Sequence, residues 1–426
     1  MKKRKLIKLG VSLVIFVLAL VVWTGISLGA AKKVITIWAW DERATGTVKV
    51  PILEFEKLNP DVEVNALNFG VDDAHNKVLT ALAAGVGAPD IYFMEMDQIG
   101  RYIGLGGAQD ITAGMKPYED LFPPAYWKSY VSGGRVFGVP WDGGPSAVFY
   151  RKDIFDEEGV EFPKNWQEYA QVGRKMAKDL DGDGEIDRYM GLTFSWLTQQ
   201  WIQGRGGEVT NEKGQILFDN PVVSEVVQWV SDRIRKDRSM KYKEPWDPES
   251  FEMIKTDKYL TVPVAYWYVG FGLQKFAYRP ELEGKWRAAR WLPWQEGDSP
   301  TGANAGGSGW LVSPQAKNVE ICVELLKYIS ARKESQVHVA LEHGVFPVNM
   351  EALEELGKEP LAFFGGQKVY QLLLGELEDT PPLTYGPEWS VIMGSLQRAI
   401  DRVVLEGAAV EEAIKDAVVE AKGELG

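Results

Sequence analysis

The 426-residue chain has a single cysteine, Cys322, so an intrachain disulfide is excluded and packing must hold the fold. Cys322 sits in the apolar helical run VEICVELLKYI and reads as a core residue. Histidine is nearly as scarce: His75, His338 and His343 are scattered, with no partner spacing. There is no H-E-x-x-H, no G-x-S-x-G and no Walker loop, so metalloprotease, serine-hydrolase and P-loop chemistry have no carrier. No internal repeat and no low-complexity linker interrupts the chain. Positive charge is the minority sign, with 47 Lys and Arg against 60 Asp and Glu and a net charge of −13. Five of the basic residues and none of the acids lie in the first 31 positions, so the remainder carries −18. So acidic a chain repels nucleic acid and anionic membrane surfaces, and neither is an expected partner.

The basic residues at the start have a separate explanation. Lys2, Lys3, Arg4, Lys5 and Lys8 precede an uncharged run from Leu9 to Ala31 that ends in the small residues SLGAA. A basic, then apolar, then small-residue order is that of a secretory signal peptide, here residues 1–31. The apolar run is also long enough to span a bilayer, so an uncleaved anchor stays open. The expectation is an exported protein, periplasmic or extracellular, tethered if the segment is retained. The length favours two domains over one core. The 16 tryptophans are the other surplus. Their area and their N–H need partners, which suggests aromatic surfaces beside an aromatic core.

Past residue 31 the pattern is β-α-β-α-β. KKVITIWAWD reads as a doubly buried strand, followed by a helix that Asn59-Pro60 stops, then VEVNAL, a helix over His75–Ala84, and PDIYFME. That order predicts a parallel α/β sheet with right-handed crossovers, and ligands lie at the carboxyl ends of such strands. Trp40, Asp41, Glu42, Glu95 and Asp97 fall at these ends. A second α/β series follows, through YMGLTF, a helix over 222–235 and VPVAYWYVGFG at 262–272. Read as a strand, the last segment sends Trp267 to one face and Tyr266 and Tyr268 to the other.

Two patterns carry candidate chemistry. In AKDLDGDGEIDRYM, Asp179, Asp181 and Asp183 take positions 1, 3 and 5 of a calcium loop. Gly184 takes the turn, with Glu185 and Asp187 at positions 7 and 9. The twelfth position is Met190 instead of a bidentate acid, so a solvated acidic turn competes with a structural Ca2+ site. No other cofactor is called for. Carboxylate pairs drawn from Glu95, Asp97, Asp142 and Glu42 could serve a glycosidase, or could simply accept hydrogen bonds from a polar ligand. The tryptophans are more informative. Trp40, Trp141, Trp196, Trp201, Trp267, Trp310 and Trp389 lie near strand ends, loops or turns, where a ring can stack on the apolar face of a pyranose.

Four segments then resemble one family, the extracellular solute-binding proteins of family 1, the sugar-capturing subunits of ATP-driven importers. They are GAPDIYFMEMDQIGRY at 87–102, GRVFGVPWDGGPSAVFYRKDIFDEEGV at 134–160, GGSGWLVSPQAKN at 306–318 and GVFPVN at 344–349. The resemblance implies a two-lobed α/β fold with the sugar in the cleft and hinge crossings between the lobes. Lobe 1 would be 32–142 and 302–353, lobe 2 147–300 and 361–426, with hinges at 143–146, 301 and 354–360. It places hydroxyl-binding acids on Asp97, Asp41 and Glu42 and cleft aromatics on Trp196 and Trp267. The candidate site also takes in Trp40, Glu95, Trp141, Asp142, Gly307, Ser308 and Trp389. Two positions depart from the family: an aromatic is replaced by Met94, and a hinge glutamate falls near Gly144, with Asp142 two residues away as a substitute. The implied function is capture of a sugar, an oligosaccharide given the many tryptophans, by a monomeric binding protein that delivers it to a membrane permease. A polyol-phosphate or other small-solute binder and a secreted glycoside hydrolase are the alternatives.

Overall fold

The computed structural model describes residues 31–211, 213–381 and 385–426; the signal-like segment at 1–30 lies outside them. The parallel start is as expected. Strand β1 (Lys33–Trp40) pairs in parallel with β2 (Val62–Phe69) and with β3 (Ile91–Glu95). The crossover helices are Lys49–Leu58 and Val71–Ala84. A short hairpin, β4 (Val131–Ser132) and β5 (Arg135–Val136), then leads into the long strand β6 (Gly138–Arg151). The second half of the chain adds β7 (Gly191–Thr193), β8 (Met240–Tyr242), β9 (Thr261–Ala265), β10 (Trp286–Arg290) and β11 (Asn304–Val312).

Two strands carry the chain between lobes. The first part of β6 pairs antiparallel with β11, and β11 continues the sheet onto β3. The last part of β6, Ser146–Arg151, instead pairs with β9 and β10. The two ends of one strand thus serve different neighbours in a seven-stranded sheet, and the packing divides into two separate cores. One core holds Ile35, Ile37, Phe93, Trp141 and Trp310; the other holds Trp166, Trp201, Val262, Trp286 and Trp291. The cores interleave in the stretch after the helix Lys333–His343: Val348 packs in the first, whereas Phe346 and Leu353 pack in the second. Leu353, in the segment expected in lobe 1, thus packs with the second core, and Phe346 seats against Tyr266 and Tyr370 of that core.

The hinge is built without side-chain bulk. A Cβ on Gly144 would lie 2.2 Å from the Ala305 carbonyl oxygen, so β6 and β11 can cross there only with glycine. This explains why no glutamate stands at that position. On the other side of the crossing, the fully buried Glu376 accepts from the Ala303 and Trp291 amides and from Arg290 Nε. Burial pushes its carboxyl up to about 7 against those donors.

The aromatic stretch at 262–272 differs from the strand reading. Strand β9 stops at Ala265, Tyr266 turns, and a helical segment begins, running as a π-helix over Val269–Phe276. Alternation therefore does not apply beyond Ala265. Tyr266 and Tyr268 are both buried, while Trp267 is half-buried. Among the described residues no helix is long and apolar enough to cross a membrane.

Candidate ligand cleft

The lobe 1 side of the cleft is a row of polar side chains laid out by strand register. Ser308 of β11 stands opposite Glu95 of β3 on one side and Asp142 of β6 on the other. Directly opposed residues share a sheet face, so Glu95, Ser308 and Asp142 point the same way. The β1–β3 register pairs Ile37 with Ile91 and Trp38 with Tyr92, and its continuation brings Asp41 level with Glu95. Asp41 has a φ of 50°, a left-handed turn that aspartate tolerates and that ends the strand at the cleft. Asp97 follows in the first turn of the helix Met96–Gly104, where the helix dipole favours an anion.

This crowding is costly for the acids. Burial, then the Glu95 charge, pushes Asp97 up to about 6, although Gln98 and Trp389 donate to it. Burial likewise pushes Asp142 up to about 6, against the Arg43 guanidinium and the hydrogen bonds from Ser308. Among the described residues Asp142 Oδ1 has no hydrogen-bond partner. Asp41 is raised as well, by burial, with Arg43 opposing and Glu95 adding to the rise. The Arg43 guanidinium lies over the rings of Trp40 (5.2 Å) and Trp141 (5.7 Å). Glu42 does not join the row: it reaches across to Lys275 of the second lobe at 3.3 Å.

Glu95 has one partner that the sequence did not suggest. His75 Nε2 lies 2.8 Å from Glu95 Oε2, and His75 Nδ1 lies 3.1 Å from the Tyr102 hydroxyl. Burial depresses the imidazole, but the hydrogen bond and charge of Glu95 outweigh it, so its net shift is upward.

The lobe 2 side is aromatic. Phe194 follows β7, Trp196 lies in the first turn of the helix Ser195–Gly204, and Trp246 and Trp267 come from the segments after β8 and β9. The Trp246 ring lies 5.1 Å from Phe194, 6.3 Å from Trp196 and 6.5 Å from Trp267, centre to centre. Trp267 Nε1 donates to the Ala305 carbonyl at 2.8 Å, which anchors this wall to the hinge strand three residues before Ser308. Gly307, at φ 111°, lets that strand turn beside Asp142 and Tyr126. Beyond Trp389 a cavity of about 430 Å³ runs between the lobes, lined in part by Gln199, Gln203, Asn304 and Tyr385.

Not every expected residue reaches the cleft. Trp141 is fully buried, edge-on to Phe93 and Trp310, with the Arg43 guanidinium over its ring. Trp310 and Trp201 are core residues too, Trp201 packed with Trp166, Trp229 and Trp291. Trp40 and Trp389 keep only 8% of their surface. Phe194, Trp246, His75 and Gln203 were not singled out beforehand. Trp246, in KEPWDPE, carries the same loop-tryptophan signal as the others. His75 carried none, because its partners are 20 and 27 residues away.

The acidic loop lies apart from these residues. Carboxylate oxygens of Asp179, Asp181 and Asp187 all fall within 4.8 Å of one another. Asp179 also accepts from the Gly182 and Gly184 amides, and Asp187 from Lys258 at 2.8 Å. Asp183 accepts from the Glu185 amide, and the Glu185 carboxylate pairs with Arg238. Met190 is fully buried, which closes the twelfth position. Three of the five predicted ligands therefore converge.

Two lobes joined by shared strands are the architecture of a hinge-bending binding protein. The chain belongs to the bacterial extracellular solute-binding protein family, whose model matches residues 39–335. It is 23% identical over 348 residues to an arabinooligosaccharide-binding protein of Halalkalibacterium halodurans, covering 79% of this chain and 77% of the relative. It is 24% identical over 427 residues to a lactose-binding protein of Rhizobium radiobacter, covering 94% of each. Among solved structures it resembles the β-1,6-galactobiose complex of a transporter-associated binding protein from B. animalis subsp. lactis Bl-04. There the TM-score is 0.75 at 24% identity, over 91% of this chain and 96% of the other. A maltose-bound protein of T. maritima has the same fold, with a TM-score of 0.74 at 20% identity over 91% and 99%.

Proposed function

We propose that this protein is an extracytoplasmic carbohydrate-binding protein that captures an oligosaccharide between its lobes and delivers it to the permease of an ABC importer. The observation that carries the reading is the pairing of the aromatic wall with the carboxylate row. Phe194, Trp196, Trp246 and Trp267 offer rings to the C–H faces of sugars, and Asp41, Glu95, Asp97, Asp142 and Ser308 take the hydroxyls. Each charge-assisted hydrogen bond contributes about 1.5–3 kcal/mol. A phosphate-bearing ligand would meet four acids against two cations, Arg43 and Lys275, the latter already paired with Glu42, which disfavours the anion alternative. Relatives named for arabinooligosaccharide and lactose favour a carbohydrate.

Closure follows from the hinge. A ligand that touches both walls binds the closed form better, and that difference drives the lobes together. The protein acts as a monomer, outside the cytoplasm, and binds without turnover. A thermal-shift screen with arabino-, galacto- and malto-oligosaccharides and lactose tests the reading, since a bound sugar raises the unfolding temperature. No stabilisation by any of them would overturn it. Release of shorter sugars on incubation would replace it with a glycoside hydrolase. Asp179, Asp181 and Asp187 are proposed in addition as ligands of a structural calcium ion.

A further inference from the structure

We propose that His75 is a positioning residue whose imidazole, held in one tautomer by the Tyr102 hydroxyl, aims the Glu95 carboxylate into the cleft. The proposal rests on Glu95 accepting from the sugar as described above. Protonation logic fixes each hydrogen bond. A carboxylate can only accept, so the proton between His75 and Glu95 sits on Nε2. In the neutral ring Nδ1 is then an acceptor, and Tyr102 must donate to it. A neutral histidine without Tyr102 could place its proton on Nδ1 and present a lone pair to Glu95, which would repel the carboxylate. The tyrosine is well placed for the task. It is fully buried in the first core and lies beside Tyr92, whose own hydroxyl donates to the Gly107 carbonyl.

The geometry leaves one carboxylate oxygen for a ligand. His75 engages Glu95 Oε2, and among the described residues no donor reaches Oε1. Both side chains are partly accessible, at 19% for His75 and 27% for Glu95, so a sugar hydroxyl can approach. His75 is the contribution of the helix Val71–Ala84 to this corner of the site. The charged and titratable groups that face it are Glu95 on β3 and Asp97, Arg101 and Tyr102 on the helix Met96–Gly104. Asp73 and Lys77 of its own helix pair with each other. Without His75 the Glu95 carboxylate would have to be ordered by the ligand, at the expense of side-chain entropy.

Two readouts test this. Histidine-selective 15N labelling gives three imidazoles, and their long-range proton–nitrogen spectra report the tautomer directly. At pH 8.5 the His75 ring should be protonated on Nε2, and Tyr102→Phe should mix the two tautomers. A ring protonated on Nδ1, or a Tyr102→Phe spectrum like the wild type, overturns the proposal. The second readout is calorimetric affinity for the tightest-binding sugar of the arabino-, galacto-, malto-oligosaccharide and lactose panel. His75→Leu should weaken it about 5- to 20-fold, and His75→Gln, which keeps a donor, should recover all but about 3-fold. Tyr102→Phe should weaken binding at pH 8.5 but not at pH 5.5, where the protonated ring carries both N–H groups. Equal loss at both pH values marks a merely structural tyrosine and refutes the relay, as does unchanged affinity in His75→Leu. Thermal unfolding of each variant separates misfolding from lost affinity, and rescue by His75→Gln decides the case if His75→Leu is unstable. If no sugar of the panel binds, the carbohydrate reading fails and this proposal with it. A bound sugar with His75→Leu unaffected overturns this proposal alone.

Discussion

Replacing Asp142 by asparagine should stabilise the ligand-free protein at neutral pH while weakening its grip on sugar. Asp142 is 4% exposed, and its carboxyl is pushed up to about 6 from an ordinary 3.8. Burial is the main cause, and it exceeds the help from Arg43 and Ser308. A group raised that far disfavours the folded anion by about 3 kcal/mol relative to the unfolded chain. The sign follows from linkage. Well below 3.8, near pH 3 and lower, the group is neutral in both states and costs nothing. As pH rises to 6 the folded protein holds a proton that the unfolded chain has lost, so stability falls across that window. Asparagine keeps an acceptor for Ser308 and removes the charge, but it also removes a partner of Arg43. The net gain at pH 7.5 should be about 1–3 kcal/mol, or about 3–8 °C in Tm for a lobe of this size. Near pH 3 the two proteins should melt together. Unfolding monitored at both pH values checks this, and calorimetry should show an affinity loss above tenfold, the cost of replacing a charged acceptor. An asparagine variant no more stable than wild type at pH 7.5, or a difference independent of pH, would refute the claim that Asp142 is held at the cleft against its own desolvation.

Three further perturbations address other parts of the molecule. Trp246→Ala removes the ring shared by Phe194, Trp196 and Trp267 from a position 38% exposed; sugar affinity should drop about tenfold with little change in Tm, and unchanged affinity would take Trp246 out of the wall. Gly100→Ala would put a Cβ 2.3 Å from the Tyr385 carbonyl oxygen, where the loop before the helix Trp389–Asp401 presses on lobe 1. The loop must yield, so sugar should bind more weakly and small-angle scattering of the liganded protein should show a larger radius of gyration; a wild-type radius counts against the loop as a closing contact. Calcium at about 1–5 mM should raise Tm, and Asp179→Asn should abolish the rise. An unmoved Tm means that Asp179, Asp181 and Asp187 form only a solvated turn.

How much of this was legible in the sequence depended on whether backbone periodicity or side-chain direction decided the matter. Strand ends were legible, because a doubly buried run such as KVITIWAW has to stop where polar residues begin, and Asp41, Glu95 and Asp97 follow from that alone. Which way a ring points at such an end was not. Trp141 and Trp310 sit on cleft-bordering strands yet turn into the core around Phe93. Trp201 lies one and a half turns along its helix from Trp196 and faces the opposite way, into the cluster of Trp166 and Trp291. The stretch after β9 failed differently. Proximity in sequence suggested continued alternation, but the helix that begins at Trp267 buries both neighbouring tyrosines and leaves the tryptophan at the hinge.

The row Asp41–Glu95–Ser308–Asp142 shows why such a site is hard to read one segment at a time. Its members come from the end of β1 and from β3, β11 and β6, separated by as many as 267 positions, and strand register aligns them. The same register fixes what the hinge can tolerate. With Ser308 level with Asp142, the next residues of each strand toward lobe 2 are Gly143, Gly144 and the Ala305–Gly307 turn, and at Gly144 no side chain fits. An acid at the crossing is therefore displaced two residues toward lobe 1, where Asp142 has room to face the cleft. The chain thus combines a bare, closely packed pivot with a carboxylate held beside it, so any ligand group that reached Asp142 would contact the strand that crosses between the lobes.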